Sequence, residues 1–290
     1  MIKVDNVTKS YSGRKVLDKI TCNIREGSIY GIVGVNGAGK STLLRIIAGV
    51  IKADSGLVTV DGDGMTWGNT RAKSRIAFVS DDPYFEEGAT LLQSAALYKI
   101  LYKKFSMSDF YLCCDRLGLD VNVSVSKMSK GQRRQSAISL ALATCPEYLI
   151  LDETFDGLDP IVRTKVKRLM FDKVASKNMS VIMTTHSLRE LEDTCDTLAL
   201  LSNGKLAVEC DVEELKKSVF KLQVLSPSPI TFENVEVISA RERGRITEYT
   251  LRGDKEKIVS QLKECEFYDI LPLTLDEVFE YEAVKTGVSV

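Results

Sequence analysis

Hydrophobic and polar positions in the first third of the chain follow strand-like patterns, interrupted by one helical segment. The continuous apolar run SIYGIVG ends in glycine, which is typical of a buried parallel strand that leads into a phosphate-binding loop. A helix is predicted over STLLRIIAGV, since Gly49 lies near its end and favours termination there. The strands predicted in this region are residues 2–11, 15–24 and 28–34, followed after the helix by a pair of strands at 56–62 and 75–80.

The pattern becomes helical from about residue 88 to residue 144, where three stretches predict three helices. Strand patterns return at EYLILD, SVIMTTH and TLALLSNGK, with helices between them. This alternation of strands and helices predicts an α/β fold with a mainly parallel sheet covered on both faces. The helical block, about residues 84–146, is therefore predicted to be an inserted subdomain.

The pattern changes again after about residue 215. Two prolines interrupt FKLQVLSPSPITF, and the short strands VEVISA and ITEYTLRG and the helix DKEKIVSQLKEC follow. We predict one domain over residues 1–217 and a small α+β domain over residues 218–290.

Composition narrows the class of protein. The 290 residues, 44% hydrophobic and 27% charged, are typical of a soluble globular chain long enough for two domains. The net charge of −1 indicates no general attraction to nucleic acid or anionic membranes. The start MIKVDNVTKSY lacks a secretory-leader pattern, and no apolar run approaches the roughly 18 residues that cross a bilayer. We therefore expect another chain to span any membrane involved.

Cysteine and histidine usage excludes some metal sites. The seven cysteines are scattered and none forms a CxxC pair, so we expect reduced cytosolic thiols. His186 is the only histidine, which excludes a metal site built from several histidines.

The segment GVNGAGKST at residues 34–42, called the phosphate loop below, fits G-x-x-x-x-G-K-[ST] between a predicted strand and a predicted helix. Its glycines let backbone N–H groups curl around phosphate oxygens. Lys40 is predicted to reach the β- and γ-phosphates, and Ser41 to offer its hydroxyl to Mg²⁺. The other residues predicted to bind the nucleotide here are Asn36, Gly37, Ala38, Gly39 and Thr42.

Two further strands end in candidate catalytic residues. YLILDE ends in two acids at the edge where open parallel sheets bind ligands. Asp152 is predicted to hold Mg²⁺ through water, and Glu153 to orient or deprotonate the attacking water. SVIMTTH ends at the same edge with His186, which is predicted to donate a hydrogen bond to the γ-phosphate or to hold the Glu153–water geometry.

These motifs, in this order, resemble the nucleotide-binding subunit of an ABC transporter over about residues 1–215. MSKGQ resembles the LSGGQ signature despite Met128 and Lys130, and ETFDGLDP resembles the D-loop with Asp159 as its aspartate. Tyr11 lies where the family places an aromatic that stacks on adenine; the alternative is a half-buried strand tyrosine. The resemblance implies a P-loop NTPase core with an antiparallel β subdomain, ATP and Mg²⁺ as cofactors, and ATPase activity.

The resemblance also implies head-to-tail pairing with a second copy or a homologous ATPase subunit. Ser129, Gly131 and Gln132 of one subunit would then contact the ATP held by the phosphate loop of the other. This arrangement would explain why one chain contains two segments suited to phosphate contacts, the phosphate loop and the signature segment MSKGQ, which are called the phosphate-reading segments below. A transmembrane permease subunit is the other implied partner, which places the chain at the cytoplasmic face of the membrane; no nucleic acid is expected.

One departure concerns FVSDDP at residues 78–83, where the family normally has a glutamine that contacts Mg²⁺. Asp81 occupies that position and is expected to bind Mg²⁺, with Asp82 as the alternative. The resemblance also implies a groove that receives a short helix of the membrane subunit. Tyr84 and Phe85 are candidates for its lip, or else they are packing aromatics.

The segment TLDEVF at residues 274–279 resembles one near the end of many bacterial exporter ATPase subunits, for drugs, peptides and polysaccharides. We therefore predict an exporter ATPase, with an amphipathic-peptide toxin or antimicrobial peptide among the candidate cargoes. The alternatives are an importer subunit, a soluble ABC ATPase and an inactive regulatory cassette, the last disfavoured by the intact Lys40, Asp152, Glu153 and His186.

Overall fold

The computed structural model describes residues 1–226, 230–262, 265–271, 273–274 and 277–278. The chain divides into two compact units, Met1–Leu206 and a second that begins at Ala207. This division lies earlier in the sequence than the boundary predicted between residues 217 and 218. Helix α8 (Val212–Ser218) packs against strand β11 (Val219–Leu225) and belongs to the second unit, and the division itself falls within the strand Lys205–Asp211.

The first unit contains an antiparallel sheet with the strand order β2-β1-β4-β5. Alternate residues at the end of β2, Ile20, Cys22 and Ile24, are buried, as expected for a sheet with one face on the core. The strands are β1 (Ile2–Tyr11), β2 (Arg14–Ile24), β4 (Ser55–Val60) and β5 (Asp63–Gly64).

The central sheet has the order β10-β9-β3-β8-β7-β6, and the pairs from β9 to β6 are parallel. Every residue of β3, β7, β8 and β9 is buried, which explains why these strands read as continuous apolar runs. The strands are β3 (Ile29–Val33), β6 (Ile76–Val79), β7 (Tyr148–Asp152), β8 (Ser180–Thr185), β9 (Thr197–Ser202) and β10 (Lys205–Asp211).

The two strands predicted as a pair after the first helix are not partners, which corrects that expectation. Strand β4 pairs with β1 in the antiparallel sheet, whereas β6 pairs with β7 in the parallel sheet. Three of the four residues of β6 are buried, as a strand covered on both faces requires.

Helices α3, α4 and α5 lie between β6 and β7 in the sequence and form the predicted helical insertion. Each begins at a Ser or Thr whose hydroxyl accepts a backbone N–H bond: Thr90, Ser106 and Ser129. The helices of this unit are α1 (Lys40–Ile47), α2 (Thr70–Lys73), α3 (Leu91–Leu101), α4 (Met107–Leu117), α5 (Lys130–Ala143), α6 (Pro160–Lys177) and α7 (Leu188–Glu192), with a 3₁₀ turn at Val125–Lys127.

The second unit is a four-stranded antiparallel sheet of order β12-β13-β11-β14 with helices α8 and α9, which agrees with the α+β prediction. Its core includes Phe220, Leu222, Tyr249 and Ile258. Of the segment TLDEVF, Leu275, Asp276 and Phe279 lie outside the described residues. The remaining elements are β12 (Glu236–Arg243), β13 (Ile246–Arg252), α9 (Lys255–Val259) and β14 (Phe267–Leu271).

None of the helices in the described part of the chain has the length and apolar character that a bilayer crossing requires.

Candidate nucleotide-binding site

The phosphate loop connects buried strand β3 to helix α1. Gly37 and Gly39 adopt φ angles of 82° and 106°, in the left-handed region that side chains disfavour. A Cβ atom on Gly39 would also lie only 2.7 Å from Leu17 Cδ2. Glycine at position 39 is therefore required by both conformation and space, and it lets the chain turn directly into α1.

A cleft of about 660 Å³ opens over this loop, a volume within the range of small-molecule sites. Most of the predicted nucleotide-binding residues line this cleft, and so do several residues that sequence reasoning missed. The predicted residues that line it are Tyr11, Asn36, Gly37, Ala38, Gly39, Lys40, Ser41, Thr42 and Glu153. The missed residues are Arg14, Lys15, Val16, Val35, Asn203 and Gly204.

Lys40 is the buried cation of the cleft, with 4% of its surface exposed. Its Nζ donates a hydrogen bond of 2.7 Å to Gly34 O and lies 3.2 Å from Glu153 Oε1. A buried ammonium group needs such partners, because desolvation of an unpaired charge costs several kcal/mol. Phosphate oxygens can take the place of both partners, so the ammonium is already poised for an anion.

Ser41 and Asp152 meet at the end of α1 where the phosphate loop joins it. Ser41 Oγ donates to Asp152 Oδ1 at 2.9 Å, and Thr184 Oγ1 donates to the same oxygen at 3.0 Å. Asp152 Oδ2 is buried and has no hydrogen-bond partner among the described residues. Burial raises the pKa of the Asp152 carboxyl, and the Ser41 and Thr184 bonds oppose that shift.

This pair fits a magnesium ion chemically. Mg²⁺ prefers hard oxygen ligands and retains several of its waters, so one hydroxyl and one carboxylate suffice as protein groups. The unpartnered Asp152 oxygen gives a bound cation or its water an acceptor. A divalent cation would also favour the ionised carboxylate that burial disfavours.

Glu153 adopts an unusual backbone conformation, with a φ of 47°. Its N–H donates to Thr184 Oγ1 at 3.0 Å, which helps to hold the left-handed turn that directly follows β7. Sequence reasoning missed Thr184. The signal for it was the position of two threonines immediately before His186, at the same sheet edge as Asp152.

His186 directly follows β8, and 61% of its side chain is exposed. Its Nδ1 lies 3.2 Å from Asp156 Oδ2. Burial raises the pKa of the Asp156 carboxyl, and the charge of His186 is the main influence that opposes this shift. Sequence reasoning also missed Asp156, which lies in the loop of residues 153–159, called the post-β7 loop below.

Tyr11 is 47% exposed and lines the cleft. Lys9 Nζ lies 5.5 Å from the centroid of its ring and is itself paired with Asp54 at 2.7 Å. The ring is thus fixed from one side and available to a ligand in the cleft.

The signature segment does not lie at the cleft of its own chain. Ser129 caps helix α5: its Oγ accepts from Gln132 N at 3.2 Å, and Gln132 Oε1 accepts from Ser129 N at 3.0 Å. Asp159 caps α6 by accepting from Ile161 N at 2.9 Å. The described residues that line the cleft do not include Ser129, Gly131, Gln132, Asp159 or His186.

Asp81 is likewise absent from the described lining of the cleft. Its carboxylate forms an ion pair with Arg134, and its carbonyl accepts from Arg134 Nε at 3.0 Å. The backbone carbonyl of Asp82 accepts a hydrogen bond of 2.9 Å from Ser80 Oγ. Magnesium binding by Asp81 stays a prediction.

A buried parallel strand, a glycine loop, a buried lysine at the start of a helix and a carboxylate beside the Ser41 hydroxyl define a P-loop nucleotide-binding ATPase. The sequence model of the family described as "ABC transporter" matches residues 17–156. The chain is 30% identical to the bacitracin transport ATP-binding protein BcrA of Bacillus licheniformis, over 96% of this chain and 94% of BcrA. The chain therefore belongs to the ABC transporter family, as an ATP-binding subunit with ATPase activity.

Other comparisons agree. The ABC transporter ATP-binding protein YtrB of Bacillus subtilis is 28% identical over 96% of this chain and 97% of its own length. Among solved structures, the dimeric post-hydrolysis state of the ATP-binding cassette MJ0796, bound to ADP and Pi, is 26% identical with a TM-score of 0.66. That match covers 73% of this chain and 99% of the other. The predicted fold class is confirmed.

Proposed function

We propose that this subunit powers an exporter, in which ATP-driven head-to-tail pairing of two cassettes drives a separate membrane subunit that moves a peptide or a drug. The observation that carries the proposal is the match to the bacitracin transport protein, which extends over 94% of that relative rather than over the cassette alone. The chain would act at the cytoplasmic face of the membrane through its permease.

In the proposed reaction, the Lys40 ammonium leaves Gly34 O and Glu153 to bind the β- and γ-phosphates. Ser41 and Asp152 would hold Mg²⁺, which would supply positive charge to stabilise the phosphate oxygens. Glu153, released from Lys40, orients the attacking water and accepts its proton. His186 donates a hydrogen bond to the γ-phosphate, and Tyr11 stacks on adenine, a contact worth about 1–3 kcal/mol in comparable base–aromatic pairs.

The separation of two phosphate-reading segments supports pairing with a second cassette. Helix α5 has no acidic residue in its first turn, so its N-terminal dipole favours an anion. Ser129 and Gly131 lie outside the described lining of their own cleft. In the proposed dimer, Ser129, Gly131, Gln132 and Asp159 close over the ATP of the partner cassette, and loss of the γ-phosphate releases that contact.

A shallow groove of about 90 Å³ supports a membrane partner. Pro83, Tyr84 and Phe85 line it together with Tyr98 and Tyr102 of the α3 region. Tyr84 is 88% exposed, so little of its ring is used in packing within this chain. We infer that a short helix of the permease occupies this groove, below called the aromatic groove.

Co-purification tests the exporter proposal. The full-length chain, expressed with the product of a neighbouring membrane-protein gene, should co-purify with it in detergent, and a Tyr84→Glu variant should not. Cargo added to the reconstituted complex should raise ATP turnover and leave the vesicle interior. Cargo uptake in the import direction would favour an importer. Full ATP turnover without any membrane partner, coupled to a soluble one, would favour a soluble ABC ATPase.

A further inference from the structure

Two consecutive arginines near the start of α5 reach a single loop. Arg133 Nη2 donates to Pro83 O at 3.3 Å, and Arg134 Nε donates to Asp81 O at 3.0 Å. Arg134 also pairs through Nη2 with the Asp81 carboxylate. Residues 80–85, called the post-β6 loop below, are therefore fastened to α5 through two backbone carbonyls and one charged side chain.

The Arg134 side chain is suited to a fixed connection because only 18% of it is exposed. A planar guanidinium that binds two groups of one residue defines orientation as well as attraction. Its Nη1 lies 3.4 Å from the position that a Cβ atom on Gly157 would occupy, in the post-β7 loop. Burial raises the pKa of the Asp156 carboxyl, and the positive charge of Arg134 is one of the influences that oppose this rise. One side chain thus connects α5 with two loops that follow strands of the central sheet.

The post-β6 loop also forms one side of the aromatic groove. Ser80, Pro83 and Tyr84 line that groove, and so does Ala137 of α5. Arg134 lies little more than one helical turn after Ser129, the cap of the same helix. The bonds from Arg134 to Asp81 consequently connect the loop at the groove to the N-terminal end of α5, which carries Ser129.

We propose that Arg134 is a positioning residue and that Asp81 is its counter-ion, so that the pair holds Ser129 in register with the loop at the aromatic groove. Asp81 then acts through Arg134 rather than as a ligand of Mg²⁺. The inference rests on the proposed function for the meaning of the groove, but its measurements use the full-length chain alone.

A charge exchange tests the pair. Asp81→Arg and Arg134→Asp should each lower the kcat of ATP hydrolysis about tenfold, the size of a typical coupling between contacting charges. The double variant should recover most of that loss. The KM for ATP should change less than about twofold, because Asp81 and Arg134 lie outside the described lining of the cleft. Backbone amides of residues 132–134, which are hydrogen-bonded within the cap and the first turn, should exchange hydrogen faster in each single variant and return towards the original rate in the double variant.

The exposed pair Arg116–Asp172, joined at 2.6 Å, is the matched control. Reversing its charges should leave both kcat and amide exchange in α5 unchanged. If the charge reversals at Asp81 and Arg134 do not fold, Asp81→Asn and Arg134→Gln provide the milder comparison, and both should speed amide exchange in residues 132–134.

Two results would overturn the proposal. One is a double variant no better than the worse single variant in both exchange and kcat. The other is an Asp81→Asn variant that needs much more Mg²⁺ for half-maximal nucleotide binding while Arg134→Gln does not, which would make Asp81 a metal ligand. Failure of the exporter assay would leave the exchange measurements unaffected, so the two proposals can fail separately.

Discussion

Lys40 is a buried cation whose partners are Gly34 O and Glu153, both groups that a triphosphate can replace. Replacing Lys40 with alanine should therefore weaken ATP binding by at least tenfold and abolish turnover. Equilibrium binding of a fluorescent ATP analogue checks the first effect. Lys15→Ala, which changes an exposed lysine at the same cleft, is the control and should have a smaller effect. Unchanged affinity of the Lys40→Ala variant for the ATP analogue would show that Lys40 does not contact the nucleotide.

Glu153 lines the cleft but makes only one of the contacts that hold Lys40. Glu153→Gln should keep ATP affinity within about threefold and reduce turnover by at least 10²-fold, the scale of general-base catalysis. With hydrolysis stalled, ATP should shift the chain to a dimer on a sizing column. A variant that turns over ATP normally would show that Glu153 is not the base.

The Asp156 carboxylate lies 3.2 Å from Nδ1 of His186, the only histidine of the sequence, and we expect it to act by orienting that side chain. Asp156→Ala should lower kcat with little change in the KM for ATP, and Asp156→Asn should retain more activity because its amide oxygen can still accept from Nδ1–H. In a His186→Ala background, Asp156→Ala should cause no further loss. An equal loss in that background would indicate a general structural role instead. Asp109→Asn, which alters an ion-paired carboxylate of α4, controls for stability.

The residues that the sequence could identify are those carried by local motifs. Two of these residues, Lys40 and Ser41, begin a helix, and two others, Asp152 and Glu153, stand at the end of a strand. Their motif and their place in the predicted elements therefore single them out together. Thr184, Asp156 and Arg134 were missed because each lies beside a residue far away in sequence: Asp152, His186 and Asp81. Such contacts depend on strand order and loop conformation, which a single sequence does not reveal.

Helix α5 shows how one element can combine two requirements. Ser129 is at once the cap of α5 and the proposed contact to the γ-phosphate of the partner's ATP. Loss of a serine cap costs about 1 kcal/mol, whereas loss of a hydrogen-bond donor to a transition state costs about 10²-fold in rate. The two contributions can be separated by choosing side chains that keep only one of them.

Ser129→Asp keeps a capping oxygen but places a negative charge where the γ-phosphate would bind. We expect a melting temperature close to that of the original chain and an almost complete loss of ATP turnover. Ser129→Ala should be slightly less stable and lose about 10²-fold in rate. Calorimetry and steady-state kinetics measure the two effects. Normal turnover by Ser129→Asp would exclude a phosphate contact at this helix end.

At the level of elements, continuous apolar runs predicted β3, β7, β8 and β9 well because both faces of these strands are covered. The same reasoning failed for β4 and β6, which are close in sequence but belong to different sheets. Short strands give little information on their partners, since register and neighbours are set by the rest of the sheet.

For the whole molecule, the proposed pairing predicts complementation. Mixing inactive Lys40→Ala with inactive Ser129→Asp should restore part of the turnover, because the mixed dimer contains one site with both an intact lysine and an intact serine. Each variant alone should stay inactive at the same total concentration. Absence of any rescue, while mixed dimers are detected by cross-linking, would contradict head-to-tail sharing of ATP.

The division of the chain into two units depends on tertiary contacts more than on local sequence patterns. The pattern of hydrophobic and polar residues changes after about residue 215, whereas the compact units divide at Leu206 and α8 packs within the second unit. A helix of this length carries no mark of which unit it joins, so only tertiary contacts decide.

Every residue of α5 from Gln135 to Ala143 is buried, while the turn that carries Ser129 is not. The phosphate-reading tip therefore cannot swing independently, since tilting it would pull nine packed residues out of the interior. In the proposed cassette pair, closure and opening would then move α5 together with α4 and strand β6, on which it packs. A spin label at exposed Lys130 should accordingly report two discrete distances across the pair, and not a continuous spread.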